Sequence, residues 1–314
     1  MGNLIDFFEN IKISSFCNVI SAIGVFDGIH NGHREIIRRA RIQAEKEGGK
    51  VLALSFLPHP RQILTPDNPP QLLLPPDERV RLLKEAGADF CAFINFTKQA
   101  AQMSAEEFLQ KLTEESRCRI SGICVGSNWR FGQGGKGNRE LLEKFCREHN
   151  WSFNAVDELT FENKIISATA IRHAIAAGEL DCAEKMCGRK AALYGKVEKG
   201  FQIASQKLAA PTANLAVSYG VLPPDGVYGG QVKLDGEIYP AAVNIGVAPT
   251  FGNGLRRVEV HLIGFAGSLY GREICVELLA FLRKERFFSS PEELKKQIAA
   301  DIEAIMQNHC LQNS

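Results

Sequence analysis

Gly24-Val25-Phe26-Asp27-Gly28-Ile29-His30-Asn31-Gly32-His33 sets two imidazoles and three glycines between a mostly apolar run, Val19 to Phe26, and an amphipathic pattern. That pattern, Arg34 to Lys46, puts Ile36, Ile37, Ala40 and Ala44 on one side of a helix and mostly charges on the other. A strand that turns through glycine into a helix leaves unpaired backbone N–H groups at the turn, with the positive end of the helix dipole behind them. Such a turn is suited to phosphate. His30 and His33, three apart and divided by Gly32, stand where phosphates would lie and can donate hydrogen bonds to oxygens that gain charge. The spacing is neither a Walker loop, since no Gly-Lys-Ser/Thr follows, nor a dinucleotide fingerprint.

Outward from this turn the first half alternates apolar runs with amphipathic segments. Val51–Phe56, Asp89–Phe96, Arg119–Val125 and Trp151–Val156 read as buried strands. Gly32–Lys46, Asp77–Ala86, Ser104–Glu115 and Asn138–His149 read as helices, and Ser104-Ala105-Glu106-Glu107 is a capping box. The alternation predicts an α/β domain with a parallel sheet and ligands at the carboxyl ends of its strands. After Leu180 the texture changes. Ala191–Lys199, Gly226–Lys233, Ile238–Ile245, Arg257–Phe265 and Glu273–Leu282 are short, β-rich and punctuated by Gly, Pro or Asp-Gly, with a hairpin signal at Asp235-Gly236. They predict a small antiparallel barrel or sandwich. Pro291–Met306 reads as a terminal helix capped by Ser290. A helix ending at Gly188 puts the boundary near Cys187, giving domains 1–187 and 188–314.

The 314 residues, 45% hydrophobic and 23% charged, suffice for two cores. A net charge of +1, from 37 basic and 36 acidic side chains, leaves no field to hold a nucleic-acid backbone, so the expected substrates are small. Nine cysteines without a Cys-x-x-Cys pair argue against a disulfide framework and a structural zinc site, and for a reducing cytoplasm. Met1–Ile13 carries Asp6 and Glu9 and lacks the pattern of a secretory signal, and no run approaches a membrane span. Gly2 does not begin a myristoylation signal, because Asp6 stands where Ser or Thr is required. The expectation is a cytoplasmic chain with no membrane partner and an oligomeric state that the pattern does not specify.

The histidine turn resembles those of the His-x-Gly-His nucleotidyl transferases, in particular the bacterial bifunctional riboflavin kinase/FAD synthetases (FMN adenylyltransferases). Three further segments are similar to that family. Ser55-Phe56-Leu57-Pro58-His59-Pro60-Arg61 resembles its Phe-x-Pro-His-Pro-Arg turn. Gly126-Ser127-Asn128-Trp129-Arg130-Phe131-Gly132 resembles its Gly-x-Asp/Asn-aromatic-x-Phe-Gly segment, with Gly132–Gly137 expected as a mobile loop. Ser167-Ala168-Thr169-Ala170-Ile171-Arg172 resembles its Ser-Ser-Thr-Arg-Ile-Arg helix start, with Ala168 in place of a Ser and Ala170 in place of the first Arg. The resemblance implies a Rossmann-like nucleotidyltransferase domain in which His30, His33 and Arg172 are catalytic. It also implies that Gly24, Phe26, Asp27, Gly28, Asn128, Ser167 and Thr169 bind ATP. Arg172 is then the only guanidinium left in the helix-start motif to follow the pyrophosphate.

In the second half Pro211-Thr212-Ala213-Asn214 resembles the riboflavin kinase Pro-Thr-Ala-Asn motif. Asp225-Gly226-Val227-Tyr228, Asn244 to Gly252, Val258-Glu259-Val260-His261-Leu262, Leu269-Tyr270-Gly271 and Phe281 to Phe287 follow in that family's order. Alternation puts Glu259 and His261 on one face of a strand. The resemblance implies a β-barrel with a C-terminal helix, Glu259 as general base, and ATP held by Gly195, Lys207, Thr212 and Asn214. It implies Mg²⁺ on Thr212 and Asn214, with ATP as co-substrate, and flavin against Arg283. Ser205-Gln206-Lys207-Leu208-Ala209-Ala210 lacks the family's glycines and arginine, which implies either that Lys207 supplies the replacement charge or that the kinase is weak.

The function this implies is phosphorylation of riboflavin to FMN, then adenylyl transfer from ATP to FMN, giving FAD and pyrophosphate. Two alternatives are a chain that keeps one of the two activities and a non-catalytic flavin- or nucleotide-binding protein. An aminoacyl-tRNA synthetase, a third user of the His-x-Gly-His turn, is disfavoured by near-neutral charge and by the absence of a Lys-Met-Ser-Lys-Ser-like loop.

Overall fold

A computed structural model describes residues 5–7, 18–115, 118–198, 212–247 and 256–312. Two compact units divide the chain, residues 1–70 with 75–168, and residues 71–74 with 169–314. Lys207, the Ser205–Ala210 loop, Pro211, Ala248 to Gly252 and almost all of Met1–Ile13 lie outside the described residues.

The first unit runs β1 (Ile5–Phe7), β2 (Asn18–Ile23), α1 (Asn31–Lys46), β3 (Lys50–Leu57), α2 (Pro60–Leu64), α3 (Pro76–Glu85), β4 (Phe90–Asn95), α4 (Lys98–Ala101), α5 (Ala105–Glu115), β5 (Arg119–Gly126), α6 (Arg139–Glu148) and β6 (Ser152–Val156). A two-stranded ribbon follows, β7 (Thr160–Phe161) and β8 (Lys164–Ile165). The sheet order is β1-β4-β3-β2-β5-β6, parallel except for β1, which runs antiparallel to β4. Strand order therefore reverses between β2 and β5, and the crevice at their carboxyl ends is the expected ligand position. Val19, Ile20, Ala22 and Ile23 of β2 are wholly buried, as the central strand of a covered parallel sheet requires. Ile36, Ile37, Ala40 and Ala44 form the buried face of α1. Each such isoleucine contributes about 1.5–3 kcal/mol of burial. The capping box is present: Glu107 N–H donates to Ser104 Oγ, and Ser104 N–H to Glu107 Oε2.

The second unit continues through α7 (Ala168–Ala176), which opens on the last residue of the first unit, and α8 (Leu180–Cys187). It then forms β9 (Ala191–Glu198), β10 (Ala213–Tyr219), β11 (Gly226–Leu234), β12 (Glu237–Val247), β13 (Arg256–Leu262), β14 (Glu273–Arg283) and α9 (Pro291–Gln312). The strands close into a barrel in the order β10-β13-β12-β11-β14-β9. Leu193, Val232, Val243, Ile245, Val260 and Val276 are buried in it, alternating along β12 and β13 with less buried positions. Asp235 and Gly236, at φ 53° and 91°, make the two-residue turn between β11 and β12. Gly188, at φ 73°, ends α8 in the left-handed conformation, and Ser290 Oγ accepts from Glu293 N–H at the start of α9.

The structure departs from the sequence reading in two places. β10 was not expected, because Pro211-Thr212-Ala213-Asn214 reads as a turn, yet Ala213 begins a strand paired with β9 and β13. The segment Gly132–Gly137, expected to be a mobile loop, is instead closed by paired bonds between Phe131 and Gly137 and tied to Met103 by the Gln133 N–H. Gly132 and Gly137 serve close contact, since a Cβ would meet the Ala105 backbone at 2.6 Å and the Phe131 ring at 2.8 Å, whereas Gly134 and Gly135 supply positive φ, 63° and 66°. The chain passes from the first compact unit to the second within α7, and α8 packs on β9 and β14.

Candidate active sites

The turn from β2 into α1 lies at the carboxyl end of the central strand. Gly24 N–H still bonds to Leu54 O of β3, after which the chain leaves the sheet. Phe26 and Ile29 take positive φ, 47° and 42°, and both side chains are wholly buried, so packing holds a conformation these residues resist. The Phe26 ring folds back over Gly24, where a Cβ would meet it at 2.8 Å. Its edge also meets the His33 ring, centroids 5.1 Å apart. His30 caps α1: its Nδ1 accepts from His33 N–H at 3.4 Å, and the two imidazoles stack at 3.7 Å. An Nδ1 that accepts leaves the proton of a neutral ring on Nε2. Asp27, Gly28 and His30 are buried, and the first turn of α1 carries no acidic side chain to compete with an anion.

The Asn128 segment leaves β5, the neighbour of β2, so both turns open at the switch point. Asn128 Nδ2 donates to Glu158, and a Cβ on Gly126 would sit 3.4 Å from Asn128 Oδ1 and 3.8 Å from Ile36 of α1. Trp129 and Phe131 stack at 4.7 Å against Phe108 and fix the segment to the core. His59, at the carboxyl end of β3, caps α2, its Nδ1 accepting from Arg61 N–H.

Arg79 of α3 is a residue the sequence reading missed. It is 2% exposed; its Nη2 donates to Val25 O at 2.7 Å and to Ser55 Oγ, and Nη1 reaches Phe56 O at 3.3 Å. Ser55 Oγ also donates to Val25 O at 2.7 Å, and the guanidinium lies 4.9 Å from the Phe93 ring centroid. The first peptide of the histidine turn is thereby clamped to the end of β3. The signal was an arginine beside the buried Val80, Leu82 and Leu83, where a solvent-facing cation was the easier assumption.

Of the helix-start motif, Ser167 precedes α7, Thr169 is exposed, and Arg172 donates from Nε to Gln71 O at 2.6 Å within the second unit.

In the barrel, cross-strand register does what the turn does in the first unit. Asn214 of β10 stands opposite Glu259 of β13, which stands opposite Asn244 of β12. Leu215, Val258, Val260, Val243 and Ile245 are the buried neighbours, so the three polar side chains share the barrel's outer face. Burial raises the Glu259 carboxyl above the usual carboxylate range; the Arg257 guanidinium opposes this and the Glu285 carboxylate adds to it. Glu285 lies over Gly246, where a Cβ would collide with its carboxylate. Thr212 is exposed just before β10. Gly195 allows close strand approach, since a Cβ there would strike Ala216 O of β10. Arg283, the expected flavin contact, gives its guanidinium to Asp301 of α9, with Nη2 2.8 Å from Oδ2. Asn244 is a second residue without an assigned role in the sequence reading; its motif was quoted and its amide was not singled out.

An α/β unit with a phosphate-type turn at its switch point, followed by a closed barrel with a carboxylate between two amides, gives a chain with two candidate phosphate sites. The chain belongs to the bifunctional riboflavin kinase/FMN adenylyltransferase family. The FAD synthetase family model matches residues 12–170 and the riboflavin kinase model residues 187–309. The bifunctional riboflavin kinase/FMN adenylyltransferase of Escherichia coli strain K12 is 34% identical over 283 residues, 90% of each chain. That of Bacillus subtilis strain 168 is 29% identical over 287 residues, again 90% of each. A solved structure described as a macrolide-efflux protein from Streptococcus pneumoniae superposes with a TM-score of 0.82 at 30% identity, covering 95% of this chain and 96% of that one. Among the described residues no helix is long and apolar enough to cross a membrane.

Proposed function

We propose that the barrel unit transfers the γ-phosphate of ATP to the terminal ribityl hydroxyl of riboflavin, giving FMN and ADP, and that the α/β unit then adenylylates FMN with a second ATP. The observation that supports this most is one chain carrying both the histidine turn at the β2–β5 switch point and the Asn214–Glu259 pair on the barrel. Each lies inside the matching family segment.

In the adenylyl step a phosphate oxygen of FMN attacks the α-phosphorus of ATP, and pyrophosphate leaves. The nucleophile is already an anion, so the protein's work is alignment and neutralisation of charge. His30 through Nε2–H, His33 and the first amides of α1 supply donors. Gly24, Phe26, Asp27, Gly28 and Asn128 frame the adenylate, while Ser167, Thr169 and Arg172 take the outer phosphates. In the kinase step Glu259 removes the hydroxyl proton as the bond to the γ-phosphorus forms, and its raised pKa makes it a stronger base than an exposed carboxylate. Gly195 and Lys207 complete the ATP site, and Arg283 acts on flavin by fixing α9 through Asp301.

Thr212 and Asn214, alternate residues at the start of β10, offer the neutral oxygens that suit Mg²⁺ shared with phosphate. These two residues would hold the ion, which would supply neutralisation of charge on the phosphates of ATP. The reading places the chain in the cytosol, where ATP serves both steps.

The test is incubation with riboflavin, ATP and Mg²⁺ followed by chromatography of the flavins. FMN forms first and FAD follows. Absence of both products overturns the reading, and FMN without FAD, even when FMN is supplied, reduces it to a kinase.

A further inference from the structure

The row across the barrel has a direction. Asn214 is on β10, Glu259 on β13 and Asn244 on β12, each opposite the next. Neighbouring strands are roughly 4.7–4.9 Å apart, so the two amides flank the carboxylate about one strand spacing to either side. Under the reading above, the β10 side belongs to the phosphate donor, because Thr212 and Asn214 stand there. The alcohol must then approach Glu259 from elsewhere on the same face. The β12 side is built for it. Asn244 is flanked on the outer face of its strand by Ala242 and by Gly246, over which the Glu285 carboxylate lies, so the amide is recessed between β13 and β11 with its open side toward Ala242. Beyond it the barrel surface is covered, since α9 packs on β11 and β12 and is held by Arg283–Asp301. Among the described residues Asn244 Oδ1 is shielded from solvent and accepts no hydrogen bond, so turning the amide oxygen to a ligand breaks no bond at that atom.

We propose that Asn244 holds the acceptor polyol, its amide oxygen receiving the hydroxyl hydrogen on the carbon next to the one phosphorylated. The ribityl chain then runs from Glu259 toward β12 and α9, while the phosphate donor comes from β10. This rests on the barrel being the riboflavin kinase. It makes Asn244 a specificity-determining residue, with Glu259 the base on one side of it.

The experiment is a cycle between protein and substrate, using full-length chain, riboflavin, and a riboflavin analogue lacking the hydroxyl beside the terminal one. Wild type uses the analogue with a KM raised about tenfold, the size of one lost hydrogen bond. Asn244→Leu raises KM for riboflavin by a similar factor, leaves KM for ATP unchanged, and treats riboflavin and analogue alike. Asn244→Asp, which keeps an acceptor oxygen, still discriminates and covers the case in which the leucine variant does not fold. If the folded Leu variant discriminates as well as wild type, or if its loss falls on KM for ATP, the proposal is overturned. A wild-type chain that makes no FMN from riboflavin removes the kinase reading itself, which separates the two failures.

Discussion

Under the proposed function the two units place polar groups around a phosphate by opposite means. In the α/β unit the site is a turn: Phe26 and Ile29 sit at positive φ, and the Arg79 guanidinium and Ser55 hydroxyl hold the Val25 carbonyl from behind. In the barrel, Asn214, Glu259 and Asn244 are positioned by strand ladders alone, and their spacing follows from register. A turn site is therefore sensitive to residues that touch no substrate, whereas a strand-face site is sensitive mainly at the positions that point outward.

The largest expected effects separate the two sites outright. Glu259→Gln should lower riboflavin phosphorylation by ~10²–10⁴-fold, the usual contribution of a general base, and leave FMN adenylylation intact. His30→Ala with His33→Ala should do the reverse, with each lost donor to developing charge costing ~10²–10³ in rate. Steady-state assay of both half-reactions in both variants checks this. Crossed effects would mean that the two sites are not independent.

Arg79 tests the contrast in kind. Arg79→Met takes the guanidinium from the Val25 and Phe56 carbonyls while the Ser55 hydroxyl still donates to Val25 O, and a lost hydrogen bond to a charged group costs about 1.5–3 kcal/mol. If the strain at Phe26 relaxes as a result, adenylyl transfer falls roughly 10–100-fold in kcat. Arg79→Lys, with one charge and no fork, should recover part of that. The kinase half-reaction of the same preparation should be unchanged. Equal kcat in Met and wild-type chains, with only the melting temperature lowered, would make Arg79 structural and weaken the distinction between turn and strand.

A smaller effect concerns pH. Burial raises the Glu259 pKa, so the folded barrel binds that proton more tightly than the unfolded chain does. The stability this confers is present below the unfolded pKa, and it is lost as pH rises through the folded one. Glu259→Gln carries no such proton, so its melting temperature relative to wild type should climb from about pH 4 upward and then level off. A difference of the opposite sign would show that Arg257 stabilises the anion by more than burial penalises it.

What the sequence could and could not reveal follows the same division. Ile36, Ile37, Ala40 and Ala44 announce the buried face of α1, Ser104 and Glu107 the start of α5, and Asp235-Gly236 the hairpin, because each is a local rule acting within a few residues. β10 was hidden because the Pro-Thr-Ala-Asn string carries turn residues, and its pairing with β13 joins positions far apart in the chain. Arg79 was hidden for the same reason: its partners Val25 and Ser55 lie 54 and 24 residues away. The Gly132–Gly137 segment misled because glycine can mark either freedom or close approach, and here Ala105 and Phe131 fill the space a side chain would need. The row through Asn244 is likewise a product of register, which one strand's pattern cannot show.

The smallest effect concerns Ala170, which stands where the family's helix start carries its first arginine. Residues two apart do not share a helix face, so a guanidinium at 170 would point away from Arg172, whose Nε is engaged by Gln71 O at 2.6 Å. It would also stand in the first turn of α7, where the helix dipole disfavours a cation. Against these stands one new charge-assisted bond to phosphate, worth about 1.5–3 kcal/mol if fully made. With geometry and dipole opposing it, the net gain should be modest: Ala170→Arg improves kcat/KM for ATP in FAD synthesis roughly threefold to tenfold and leaves FMN synthesis unchanged. Kinetics of both half-reactions against wild type measure it. An unchanged or poorer FAD step would assign the pyrophosphate to a cation already present, with Arg130 and Lys136 beside the Asn128 segment the first to replace. The turn would then be compensated from a neighbouring loop, a freedom that strand register does not allow the barrel.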